Sequence, residues 1–329
     1  MRSEILEMIR KIPGQYLSGE EISRRFTVSR TAVWKHIQAL KSEGYDIEAH
    51  SRLGYRLRQS PDLLLPGEIE AHLKTKTLGR NIYYQAEFET STNDVAKQMA
   101  AIGCPEGQVV VGETQKGGRG RLARNWFSPY SKGIWFSIVL RPNFRLQDAP
   151  KCTMMAAVAI NRAIKKVANI NSGIKWPNDI MFGGKKLVGI LTEMSAEVDV
   201  INYVIIGVGI NVNISNDDFP SELQMVATSL MLATGTSVSR LELLLAVLVE
   251  LEIVYNEAVE HGFSRILDQW RTQSVTLGRN VDVYGFGSSF SGLALDIDDD
   301  GALLVQTDNG VEKVVAGDVS IRARDSDGA

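Results

Sequence analysis

Ser29-Arg-Thr-Ala-Val-Trp-Lys-His-Ile-Gln38 decides how the N-terminal end of the chain is read. Serine at its head is an N-cap residue, able to accept from an amide of the turn that follows. Val33, Ile37 and Leu40 then recur at i, i+4 and i+7, which places one apolar face on a helix. The opposite face shows Arg30, Thr31, Trp34, Lys35 and Gln38, and Gly44 ends the helix. Working back, Phe26-Thr-Val-Ser29 reads as a short turn. Before it, Ser18-Gly-Glu-Glu21 has the pattern of a capping box and opens a helix that holds Ile22 and ends near Arg25. Residues 3–11 put Ile5, Leu6 and Ile9 on one face and stop at Pro13-Gly14. Working forward, Tyr45-Asp-Ile-Glu-Ala-His50 and Tyr55-Arg-Leu-Arg58 alternate in polarity, and Ser51-Arg-Leu-Gly54 joins them as a hairpin. Three helices and a hairpin predict a winged helix-turn-helix over residues 1–60, with the helix-turn-helix at about 19–38. The third helix of such a fold fits the major groove. Ser29, Arg30, Thr31, Trp34 and Lys35 are therefore the candidate DNA-reading residues, with Arg24, Arg25, Arg52, Arg56 and Arg58 spaced to touch phosphates beside them. A winged helix that docks protein instead of DNA is the alternative.

Charge discriminates between them. The 329 residues carry 36 basic and 39 acidic side chains, a net of −3. Residues 1–60 hold 11 Lys/Arg against 7 Asp/Glu, and residues 61–329 hold 25 against 32. A basic end on an acidic chain points to a polyanion-binding module at that end. With 44% apolar and 23% charged residues, the chain has the composition of a globular protein. Cys104 and Cys152 stand far apart with no CxxC, so a reduced, cytoplasmic chain is expected. Glu4 and Glu7 interrupt the apolar stretch at the start, which argues against a signal peptide. Leu241–Tyr255 contains Glu242, Glu250 and Glu252, and is too polar and short to span a membrane. The four histidines are scattered, so no zinc site is expected.

Pro61-Asp62 and Pro66-Gly67 bracket a linker over 61–67. Residues 68–273 mix strand-like segments (82–85, 108–112, 133–140, 186–193, 203–207) with helix-like ones (94–101, 154–167, 241–259), which predicts an α+β domain around a sheet. Ser221–Ser239 is less periodic and reads as a flexible connection. Residues 274–329 become short β segments broken at Gly285-Phe-Gly287 and Asp298-Asp-Asp-Gly301, as in a small β-barrel. That stretch holds 4 basic and 10 acidic residues, which argues against nucleic-acid binding there.

The densest chemical signal is Glu113-Thr-Gln-Lys-Gly-Gly-Arg-Gly-Arg121, closed by Trp126. Gly117, Gly118 and Gly120 let backbone amides approach a ligand with no Cβ in the way. Arg119, Arg121 and Arg124 add permanent positive charge, and amides with guanidinium forks suit a phosphate or carboxylate. A dinucleotide fingerprint matches at Gly118–Ala123, but Arg124-Asn125 and Pro129 follow in place of an apolar helix. Gly184-Lys185-Lys186 is not a P-loop, since neither Ser nor Thr follows. A second constellation is Lys175-Trp-Pro-Asn-Asp179 with Lys186-Leu-Val-Gly189. Asp179 has the chemistry to hold Mg²⁺ or to orient a lysine. Lys186 opens an apolar strand, where a cation can neutralise a carboxylate and an adjacent phosphoryl group. The third piece is Gly207-Val-Gly-Ile-Asn211, a strand whose glycines allow close approach.

Together these motifs resemble the biotin–protein ligases, and more closely the bifunctional bacterial type that joins the ligase to a biotin operon repressor. The match rests on Ser91-Thr-Asn93, Gly118-Arg-Gly-Arg121, Lys175-Trp-Pro-Asn-Asp179 with Lys186-Leu-Val-Gly189, Gly207-Val-Gly-Ile-Asn211 and the N-terminal Ser29–Gln38. The resemblance implies a winged helix, a central class II synthetase-like ligase domain and an SH3-like barrel. It implies that biotin and ATP form biotinyl-5′-AMP, and that biotin then passes to a lysine of biotin carboxyl carrier protein. By the same resemblance Ser91, Thr92, Asn93 and Gln115 would bind biotin's polar ring. Gly118, Arg119, Gly120 and Arg121 would close over biotin and phosphate. Lys186, beside Gly189, would bridge carboxylate and phosphate. Asp179 and Asn211 would organise Mg²⁺ or the lysines, and Trp126 would pack on adenine or anchor the loop. Biotinyl-5′-AMP would act as corepressor, promoting a homodimer that binds operator DNA.

One departure stands out. Where the bifunctional type continues Arg-Gly-Arg after GRGR, this chain has Leu122-Ala-Arg124. Two rival expectations remain: a DNA-binding biotin sensor with a non-catalytic ligase domain, and a lipoate or octanoate ligase.

Overall fold

Ser29 caps its helix as its residue type predicts, its Oγ accepting from the Ala32 amide at 3.2 Å. In the computed structural model, α1 (Arg2–Arg10), α2 (Gly19–Phe26) and α3 (Arg30–Ser42) precede a hairpin of β1 (Asp46–His50) and β2 (Gly54–Gln59). The structure describes residues 1–197, 200–285, 289–316 and 320–323, and separates into two units, Met1–Leu63 and Leu64–Ala329. The core of the first is the predicted one: Ile5, Leu6, Ile9, Ile22, Val33, Ile37 and Leu40 are buried, joined by Leu17, Tyr45 and Ile47. Burying such side chains stabilises by about 1.5–3 kcal/mol each. Ser18 accepts from the Glu20 amide at 3.2 Å, one residue earlier than the capping-box pattern predicts. Leu17 exchanges backbone hydrogen bonds with Tyr55, a single bridge that ties the segment before α2 to the hairpin.

In the second unit α4 (Pro66–His72) leads to β3 (Asn81–Phe88), α5 (Thr92–Ala101), β4 (Gln108–Gln115), β5 (Gly133–Leu140) and α6 (Lys151–Ala168). Then follow β6 (Gly173–Lys175), β7 (Asp179–Phe182), β8 (Lys185–Glu197) and β9 (Val200–Asn211). The seven strands order as β3-β4-β5-β9-β8-β7-β6, with β3–β4 parallel and the other pairs antiparallel. The glycine-spaced motifs of β8 and β9 come together because Gly189 pairs with Gly209 in register. All eight residues of β5 are buried, as expected of a strand covered on both faces. On one face lies α6 with α9 (Arg240–His261), within one large apolar core. On the other lies α5, with Ala96 and Ala100 against Phe88, Val110, Val139, Tyr203 and Ile205.

Two expectations change here. Pro66 and Gly67 are not linker but the first turn of α4, where proline's missing N–H costs nothing, and Leu64 ahead of it is fully buried. Residues 221–239 are not a flexible connection. They hold α7 (Ser221–Gln224) and α8 (Leu230–Thr234), and between these helices Lys186 N donates to Val226 O while Thr228 N donates to Lys186 O. A stretch that short shows little period, and its partner lies some forty residues away in sequence.

After α10 (Ser264–Gln273), β10 (Asn280–Tyr284), β11 (Ser289–Ile297), β12 (Leu303–Thr307), β13 (Gly310–Val314) and β14 (Ser320–Ala323) form an antiparallel sheet ordered β13-β12-β11-β10-β14. Its inward residues Val281, Val283, Ala294, Ile297, Leu303 and Val305 join the same core as the central sheet. Phe286 and Gly287 of the predicted break lie outside the described residues, as do the final six residues. No helix in the described residues is long and apolar enough to cross a membrane.

Candidate functional site

The pleat of β8 and β9 sends Gly189, Leu191 and Glu193, and Gly207, Gly209 and Asn211, to the face that carries α5. The glycines leave room there. A Cβ at Gly189 or Gly209 would come within 2.6 Å of the Trp126 indole, and one at Gly207 would meet Asn93 Oδ1 at 2.0 Å. Trp126 thus lies flat over a glycine floor and packs edge-on against Trp135. Around it opens a cleft of about 290 Å³. Every candidate ligase residue named from the sequence lines it except Gly118, whose backbone pairs with Trp126 and holds the loop.

One end of the cleft is a closed polar network. Ser91 caps α5 in a full capping box with Asp94. Thr92 N donates to Gln115 Oε1 at 2.7 Å. The Ser137 hydroxyl donates to Asn93 Oδ1 at 2.6 Å and lies 2.8 Å from the Thr92 hydroxyl. Asn93 Nδ2 donates to Leu191 O and to Glu193. Ser137 and Glu193 were not singled out from the sequence. The signal was there for Glu193, two residues beyond Leu191 on the period-2 face of its strand.

At the other end Lys186 Nζ stands 2.7 Å from Asp179 Oδ1 and 5.2 Å from the centre of the Trp126 ring. Of the two roles open to Asp179, this geometry displays the orienting one. Arg121 donates to Asn178 Oδ1 at 3.2 Å, and Asn211 Nδ2 donates to Thr228 O at 3.0 Å. Arg119 lines the cleft with its guanidinium held by Asp94 and, at 3.1 Å, by Glu193. Burial opposes its charge, yet the hydrogen bond to Asp94 and the charge of Glu193 win and hold its pKa above the ordinary value. Leu122 and Ala123, at the departure from the GRGR continuation, both take left-handed backbone, a strained conformation for residues with a Cβ.

Among the described lining residues, Arg121, Arg124, Lys175 and Lys186 face one carboxylate, Asp179, while Arg119 is paired with Asp94 and Glu193. Such a cleft suits an anionic ligand. No group of three or more metal-ligating His, Cys, Asp or Glu occurs among the described residues. One carboxylate with an amide fits a Mg²⁺ that arrives bound to phosphates, rather than a resident metal cage. Cys152 is buried, which pushes its thiol up to about 12.

In the first unit Arg30, Thr31, Trp34 and Lys35 all project from α3 into solvent. Arg30 pairs with Glu20 at 2.6 Å. Arg56 and Arg58 depart from the expected phosphate contacts. Both grip Glu48, which bridges the strands of the hairpin. Their hydrogen bonds, with one from Tyr16, lower the Glu48 carboxyl to about 2.

The biotin/lipoate A/B protein ligase family profile matches residues 85–211, a helix-turn-helix domain profile matches 2–56, and the biotin protein ligase C-terminal domain profile matches 276–322. The chain is 43% identical to the bifunctional ligase/repressor BirA of Bacillus spizizenii, over 98% of both chains. It is 42% identical to that of Bacillus subtilis, again over 98% of both. A biotin protein ligase from Aquifex aeolicus, solved in complex with biotin and ATP, is 27% identical and superposes with a TM-score of 0.66, covering 74% of this chain and 100% of that one. Identity of this level across the full length, with all three regions matched in order, shows that this chain belongs to the bifunctional biotin ligase/repressor family.

Proposed function

We propose that this protein joins biotin to ATP in the cleft, releases pyrophosphate, and passes biotin from the resulting biotinyl-5′-AMP to a lysine of biotin carboxyl carrier protein. The observation that carries this reading is the Lys186–Asp179 pair, 2.7 Å apart, in a cleft also lined by Arg119, Gly120 and Arg121 of the glycine-rich loop. Biotin's carboxylate oxygen attacks the α-phosphorus, a new P–O bond forms, and the bond to the pyrophosphate oxygen breaks. Two anions must approach for this to happen. Lys186 and Arg121 place positive charge where the new negative charge develops, which is worth most in a partly dehydrated site. The carrier amine then attacks the acyl carbon and AMP leaves. Biotin's ring is assigned to the end built from Ser91, Thr92, Asn93 and Gln115, and the nucleotide to the end with Trp126, Gly189 and Lys186. Asp179 and Asn211 are the residues that would hold Mg²⁺, which would shield phosphate charge when bound.

Residues 1–63 are the proposed operator-binding unit, with Ser29, Arg30, Thr31, Trp34 and Lys35 on the reading face. Residues 64–273 are the class II synthetase-like catalytic region, and residues 274–329 an SH3-like barrel. Biotinyl-5′-AMP promotes a homodimer by binding the dimer-competent state more tightly, so one ligand serves both activities in the cytoplasm. The test is to mix the full chain with biotin, MgATP and a carrier domain, and to follow pyrophosphate release and carrier mass. Replacing Lys186→Ala is expected to lower adenylate formation about 10²–10³-fold with the fold retained. Near-normal turnover in that variant refutes the assigned role. Dimer mass and operator affinity unchanged by biotin plus MgATP refute the corepressor reading alone.

A further inference from the structure

We propose that Ser137 and Asn93 set the direction of the proton on the Thr92 hydroxyl, and so select a ligand ring that brings an N–H to Thr92. The chain of bonds starts at a group whose polarity is fixed. Leu191 O, a backbone carbonyl, can only accept, and it takes a hydrogen bond from Asn93 Nδ2 at 3.2 Å. Glu193 takes a second from the same nitrogen at 2.9 Å, and stands beside Arg119 and Lys97. The Asn93 amide is thereby oriented, with Oδ1 on its other side. That oxygen has no proton, so the hydroxyl of Ser137, 2.6 Å from it, must donate. A hydroxyl has one proton to give. The 2.8 Å contact between Ser137 and Thr92 is therefore closed by the Thr92 proton. With its proton turned inward, Thr92 Oγ1 can only accept from a ligand in the cleft that Thr92 lines.

Packing keeps this chain from turning round. Ser137 on β5 stands across from Gly207 on β9, and a Cβ at Gly207 would come within 2.0 Å of Asn93 Oδ1. The first glycine of Gly207-Val-Gly-Ile-Asn211 thus makes room for an amide of the protein itself. Ser137, Asn93 and Thr92 are 0%, 1% and 3% exposed, so bulk water does not stand in for a lost partner. The neighbours of Thr92 are set in the same way. Ser91 Oγ accepts from the Asn93 amide, which leaves its own proton to give. Gln115 Oε1 accepts from Thr92 N, which leaves Nε2 as a donor. An acceptor accompanied by donors is complementary to an N–H beside a carbonyl, as in a cyclic urea. A ligand acceptor placed against Thr92 Oγ1 leaves both oxygens unpaired, and that penalty is the source of the selection. Asn93, expected from the resemblance to touch the ring, becomes a positioning residue behind Thr92, and Ser137 a second one. The selection rests on biotin's ring lying at this end of the cleft, as proposed above.

The experiment measures, by calorimetry on the full chain, the binding of biotin and of the two cyclic carbamates in which oxygen replaces one or the other ring N–H. With the unaltered protein, at least one carbamate is expected to bind about 100-fold more weakly than biotin, the effect of setting two acceptors against each other in a buried site. Ser137→Ala frees the Thr92 proton to turn outward. In that variant biotin is expected to weaken about tenfold and the rejected carbamate to weaken less, so that the ratio between them shrinks by up to about tenfold. Both ligands weakened in step, with the ratio unchanged, would show a merely structural role for Ser137 and overturn the proposal. Carbamates that bind the unaltered protein as tightly as biotin would overturn it without any variant. An unaltered protein that does not bind biotin at all would refute the assignment of the cleft, and this selection with it, so the two failures are told apart.

Discussion

Arg30 and Lys186 each hold a carboxylate at nearly the same distance, 2.6 Å to Glu20 and 2.7 Å to Asp179, in two regions built for different tasks. The side chains of the Arg30 pair are 72% and 71% exposed, those of the Lys186 pair 33% and 22%. Exposed pairs contribute about 0–1 kcal/mol and are screened by salt. Arg30 can therefore leave Glu20 at little cost, which suits a surface that must exchange partners. Lys186 is screened less, and its pair holds a charge in place before substrate arrives. A third pair, Arg240 with Glu113, completes the series at 0% exposure on both sides. Glu113 also accepts from the Leu64 amide at 2.7 Å, where the chain enters the second unit. Distance alone predicts none of this; burial decides what a pair does.

The comparison can be broken at its most buried point first. Arg240→Ala strands the Glu113 carboxylate in the core and is expected to cost about 3–5 kcal/mol. Urea unfolding would read this as a lower midpoint with an unchanged slope. A loss below about 1 kcal/mol would place the pair with the surface class.

The Glu48 clamp in the wing tests how far arginines can act in an exposed setting. Its carboxyl is lowered from 4.5 to about 2, so its contribution is complete above 4.5 and fades as pH falls through about 2. Titration of the Glu48 carboxyl by carbon-13 NMR is expected to show its midpoint near the lower value. A midpoint at 4.5 means that Arg56 and Arg58 are free for DNA after all.

The smallest effect belongs to Arg30→Ala. Its cost in stability is expected within about 0.5 kcal/mol, while operator binding weakens and sequence preference relaxes at the base it reads. An unchanged preference at every operator position would remove Arg30 from the reading face.

Much of the fold was legible in order along the chain. The apolar spacing of Val33, Ile37 and Leu40, the serine at position 29 and the alternation of the wing are local signals that need no partner, and each returned in the structure. The long strands read well for the same reason. What stayed hidden was pairing across distance. The carboxylates that hold Arg119, Asp94 and Glu193, lie 25 and 74 residues away in sequence. Residues 226–228 looked like loop because their order comes from Lys186, not from period.

By itself the sequence determined the kinds of chemistry present: glycines for close approach, three arginines in one loop, a lysine opening an apolar strand, and a basic module at one end. Those are properties of residue type and short spacing. Only the tertiary structure decided which cations are already paired and which carboxylate orients Lys186. It alone tied the C-terminal region to the turn that carries Asp179, through Trp176. The physical reason is that side-chain charge and hydrogen bonding act over a few ångströms in space, and neighbours in space are set by the packing of elements far apart in the chain.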